Sequence, residues 1–72
     1  MDVTTMHYLN TIRQDQNGEK AIVARKQIEN DISLYRVTAL KLHPRATGYL
    51  CHVYANMLEH QLKEALSAGK EI

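Results

Sequence analysis

The sequence predicts an all-α fold: a short N-terminal helix, then a long antiparallel helical hairpin that dimerises into a helical bundle. Three observations predict it. Ala21, Ala24, Ile28, Ile32, Tyr35, Ala39 and Leu42 follow one another in steps of three and four, the spacing of one helix face and close to a coiled-coil seam. Leu50, Cys51, Val53, Tyr54, Met57, Leu58, Leu62 and Ala65 form a second, broader apolar arc at the same period. Between the two stands the only proline, Pro44, and a residue before proline is pushed away from helical angles.

The expectation of a dimer comes from size. A chain of 72 residues makes one domain, residues 1–72, and buries only about 60% of the surface its unfolded form exposes. Trp and Phe are absent, so the large apolar groups are Leu, Ile, Val, three Met and four Tyr. Small domains compensate with disulfides, metals or oligomerisation. Cys51 is the single cysteine, so no intrachain disulfide can form, and an unpaired thiol fits a reducing cytoplasm. Oligomerisation is the remedy left.

The first helix is expected over residues 5–16, with Thr4 or Thr5 as its cap and Tyr8, Leu9 and Ile12 on one face. Asn17-Gly18 tolerates left-handed backbone and is expected to stop it. The second helix, 19–42, opens with Glu19 at the positive end of its dipole and is about 36 Å long at 1.5 Å per residue. Weak alternation over 37–43 allows a short strand as a minority reading. The third helix, 46–68, starts at Pro44 or is capped by Thr47. Gly69 is a natural terminator, with a frayed tail after it. Glu59 and Lys63 stand four apart for an exposed ion pair.

No catalytic, cofactor or metal signature emerges. His7, His43, His52 and His60 with Cys51 lack the spacing of three or four that aims two helical ligands the same way. Cys51 falls on the apolar arc and reads as a packed thiol. No carboxylate is set in apolar sequence that would raise its pKa for acid catalysis. The sequence also lacks a glycine-rich phosphate loop and any run long and apolar enough for a membrane span.

The informative residues lie on surfaces. Val23, Leu34 and Val37 fall on the side of the second helix opposite its seam, and Tyr49, Val53, Asn56 and His60 form a mixed strip along the third. Both are candidate partner-binding faces, since Tyr offers apolar area with a polar tip. The oligomer interface is expected at Ile28, Ile32, Tyr35, Tyr54, Met57, Leu58 and Gln61. Gln61, central in the apolar arc, serves there either as a register device paired with its copy, Tyr35 or Tyr54, or as a less buried residue than the wheel implies.

Net charge is +1, but residues 20–45 hold six basic and two acidic groups. Arg25, Lys26, Arg36, Lys41 and Arg45 therefore support an alternative reading as a DNA- or RNA-binding helical regulator, although no aromatic groups interleave to stack on bases. The first expectation is a cytoplasmic, non-enzymatic homodimer that binds another protein and modulates or inhibits it. This is the economy of the inhibitors and antirepressors encoded by phages and other mobile elements. A structural assembly subunit is a further alternative.

Overall fold

The computed structural model describes residues 2–15 and 17–68. They form three helices, α1 (Val3–Gln14), α2 (Glu19–Leu42) and α3 (Ala46–Ala68), with no strand among them. The weak alternation over 37–43 is overridden, because α2 continues its seam through Ala39 to Leu42. Gln16, Gly69 and the tail after it lie outside the described residues.

The helix starts differ from those expected. Asp2, rather than Thr4 or Thr5, caps α1: its Oδ1 accepts from the Thr5 N–H at 2.8 Å. The helix therefore begins two residues earlier, and Thr5 becomes a buried residue beside Leu9 and Ile12. The Thr5 N–H, and then its hydroxyl, hold the Asp2 carboxyl below its ordinary pKa. A lowered folded-state pKa means that stabilisation is present above the unfolded value and is lost as pH falls through the folded one. Melting curves of Asp2→Ala should lie below those of the parent at pH 7, and the two should converge as pH drops below about 3.9.

No described residue uses positive φ, so the break after α1 is not the left-handed stop expected of Asn17-Gly18. Asp15 turns extended (φ −156°, ψ 95°), and its side chain accepts from the Asn17 N–H. Gly18 is the extended N-cap of α2 (φ −71°, ψ 154°). At the other turn His43 is extended (φ −61°, ψ 138°), as a residue before proline prefers. Pro44 stays outside α3. The Arg45 carbonyl, instead of the Thr47 hydroxyl, opens that helix by accepting from the Gly48 and Tyr49 N–H groups.

α2 and α3 pack against each other and α1 packs against both helices, in a molecule 43 Å along its longest axis. Six large residues, Leu9, Ile12, Ile28, Ile32, Leu58 and Leu62, share the core with Ala21, Ala24, Ala55 and Ala65. The packed face of α3 is Gly48, Cys51, Ala55, Leu58, Leu62 and Ala65, a run in alternating steps of three and four. Alanine and glycine at these positions let the helix backbones approach closely, so little apolar volume closes the interface.

Polar contacts link α2 and α3. Arg36 on α2 donates to Asn56 Oδ1 at 3.3 Å and pairs with Glu59 on α3. The expected Lys63–Glu59 pair forms at 3.4 Å. Lys63, then Arg36, hold the Glu59 carboxyl below its usual range. Tyr35 and Tyr54 meet edge to face across the same level, with centroids 4.7 Å apart. Desolvation pushes the Tyr54 phenol up, and Tyr35 adds to that.

Candidate functional site

The apolar arc of α3 divides into two faces with different fates. On one side the small-residue seam packs into the core. About a third of a turn away, Leu50 and Val53 remain exposed, at 63% and 44%, and Met57 is over a third exposed. Their steps of three and four place them in one line along the helix, with His60 and Glu64 continuing it as an ion pair at 3.1 Å.

Several residues expected at an oligomer interface are therefore something else. Ile28, Ile32 and Leu58 are buried within the single chain. They are intrachain core because α3 and α1 already cover them. Tyr35 and Tyr54 are half-buried against each other. Gln61 lies beside Met6, Leu9, Asn10 and Arg13 at the edge of α1, also half-buried. Only Met57 of that set has a substantial outward surface.

The expected partner-binding residues are all exposed but do not form one patch. Val23 borders a hollow beside His7, Tyr8 and Thr11 of α1. Leu34 borders another, with Asp2, Thr5 and Tyr54, where α1 begins. Val37 is half-exposed on the same helix. On α3, Asn56 is occupied by Arg36, and His60 by Glu64. Tyr49 and Val53 keep free apolar surface.

The basic residues of the nucleic-acid alternative are also divided. Arg25 pairs with Glu29 at 2.9 Å, and Arg36 pairs with Glu59. A guanidinium already facing a carboxylate loses much of its pull on phosphate. Lys26, Lys41 and Arg45 are exposed, and Arg45 stands at a concave surface.

That surface is a hollow of about 520 Å³ at the turn between α2 and α3. Its floor is Ala39, Leu40, Pro44, Gly48 and Tyr49, and its rim carries Arg36, His43, Arg45 and His52. Gly48 lines it, and a Cβ there would stand 3.0 Å from the Ala39 carbonyl oxygen and the Leu42 carbonyl carbon. The two helix backbones approach so closely here that a side chain at position 48 has no room between them.

Among the described residues no three His, Cys, Asp or Glu side chains converge as metal ligands, and no helix is long and apolar enough to cross a membrane. Cys51 is a free, half-buried thiol. Comparison with protein-family models, with curated proteins and with solved structures finds no match to this chain. The site therefore stands on its own geometry.

Sequence reasoning missed Ala55, Leu40 and the outward placement of Leu50. The signal for Ala55 was present in the unbroken run 48, 51, 55, 58, 62, 65. Its small residues carry little weight on a wheel, so the larger Leu50, Tyr54 and Met57 drew the inferred face toward themselves.

Proposed function

We propose that this chain is a dimeric helical regulator that binds another protein and modulates or inhibits it, its two copies joined along the outward line of α3. One observation carries the reading. Eleven large apolar side chains are exposed among the described residues, against the six that share the core with four alanines. Single exposed apolar groups are ordinary, but a molecule with more of its large apolar groups outside than inside gains stability from a cover.

The line Leu50, Val53, Met57 is suited to a second copy of itself. Laid antiparallel about a two-fold axis midway between Val53 and Met57, each Val53 faces the partner's Met57. Each Leu50 then faces the partner's His60. A two-fold interface must be self-complementary in this way. The pairing leaves the Val23 and Leu34 edge of α2 and the turn-end groove for a different protein. The mechanism is occlusion: a rigid helical surface covers the target's working face.

The test is light scattering with sedimentation, on the parent and on Val53→Glu. The parent should have dimer mass, falling on dilution, and the variant should be a monomer with unchanged helix content. A parent that is monomeric at about 100 μM would overturn the dimer, since that concentration populates even weak pairs. Capture from nuclease-treated extract addresses the second half of the reading. Partners that vanish with nuclease would shift it to nucleic acid.

A further inference from the structure

We propose that the turn-end groove is a binding site for a short acidic segment of the partner protein, in which one apolar side chain is flanked by carboxylates. This rests on the reading of the chain as a protein-binding regulator and names the chemistry of what it binds. The groove's volume, about 520 Å³, falls within the range of side-chain and small-ligand pockets. Its floor is apolar, and Leu40 and Tyr49 leave 80% and 69% of their surface without cover.

The rim specifies charge. Arg36, His43, Arg45 and His52 line the groove, and no carboxylate does. The nearest, Glu59, stands behind Arg36 on α3 and holds its guanidinium from that side together with Asn56. Two of the five N–H donors of Arg36 are used in these bonds, so the group is fixed in place with N–H donors left for hydrogen bonding, while Glu59 offsets its charge. A guanidinium held this way meets a carboxylate without first losing side-chain freedom. Arg45 has no carboxylate partner among the described residues and supplies the uncompensated positive charge. His52 contacts Asn56 at 3.5 Å and stands at the α3 side of the rim.

The combination selects a peptide over a nucleic acid. A phosphate backbone is read by basic groups spread along a face, whereas here the free charge is concentrated at Arg45 beside apolar side chains, with one ring, Tyr49, rather than a row of aromatics to stack on bases. A peptide places its apolar side chain on that floor and its carboxylates on the rim.

Amide chemical-shift titration tests this with a panel of synthetic peptides carrying Glu-X-Glu in a Gly/Ser background, X being Leu, Ile, Val, Met, Phe or Trp. At least one member should shift the amides of Leu40, Gly48 and Tyr49 saturably. Replacing its Glu by Gln, or X by Gly, should weaken it about tenfold or more. Arg45→Glu, at an exposed position between helices, should weaken it similarly with helix content kept, and a Lys-X-Lys peptide should restore binding to that variant. Val53→Glu should bind like the parent, so failure of the dimer and failure of the groove read out separately. The proposal is overturned if no member saturates by about 1 mM, if Gln peptides bind equally, if Arg45→Glu changes nothing, or if a single-stranded oligonucleotide displaces the shifts instead.

Discussion

Ile28→Ala should bring the protein to the edge of unfolding. Ile28 is fully buried at the middle of the packed face of α2, inside the cluster that joins all three helices. Removing its branch deletes buried apolar atoms and leaves a cavity that helices on two sides cannot close, a change that costs about 2–5 kcal/mol. Against about 0.05–0.15 kcal/mol of stability per residue, a domain of this size has roughly 4–11 kcal/mol in all. Urea unfolding followed by circular dichroism measures it: the midpoint should fall by a third or more with little change in slope. Ile22→Ala is the matched control. Ile22 is on the same helix but 59% exposed, so its loss should stay within about 0.5 kcal/mol.

Gly48→Val should be the second largest effect, and its sign is set by tertiary structure against local preference. Within a helix, glycine costs about 1 kcal/mol relative to alanine, so any side chain at position 48 gains propensity. Here the new Cβ would meet the backbone of α2, the Ala39 carbonyl oxygen and the Leu42 carbonyl carbon, both at 3.0 Å. Neither can rotate away. Overpacking of this kind costs about 1–3 kcal/mol, and valine's second methyl group places it at the upper end. The same denaturation series should report a loss of about 2 kcal/mol, and the peptide shifts at Leu40 and Tyr49 should disappear as the helices part. Gly18→Ala offers the contrast, because its nearest neighbour is the far end of the Asp15 side chain at 2.6 Å, which can swing aside at the expense of one exposed hydrogen bond from the Asn17 N–H.

Helix number, the α2 seam and the helix break at Pro44 were legible because each rests on local physics. Period, capping chemistry and the restriction before proline act over a few residues. Helix starts were less legible, since Asp2, Thr4 and Thr5 are all competent caps and the choice depends on which turn places Thr5, Leu9 and Ile12 against α2 and α3. The candidate surfaces were only partly legible. Tyr49, Val53, Val23 and Leu34 are exposed as expected, whereas Arg36 and Asn56, read as free for a phosphate and a partner, bind to α3 and α2 respectively.

By itself the sequence determined an all-helical chain, two long amphipathic helices separated at Pro44, and a core short of large side chains. Only the tertiary structure decided which part of α3's wide apolar arc is inside. A helix packs where backbones can come closest, so the small-residue line through Gly48, Ala55 and Ala65 won the interior. The larger Leu50, Val53 and Met57 remained outside, as did the groove beside Leu40, Tyr49 and Arg45.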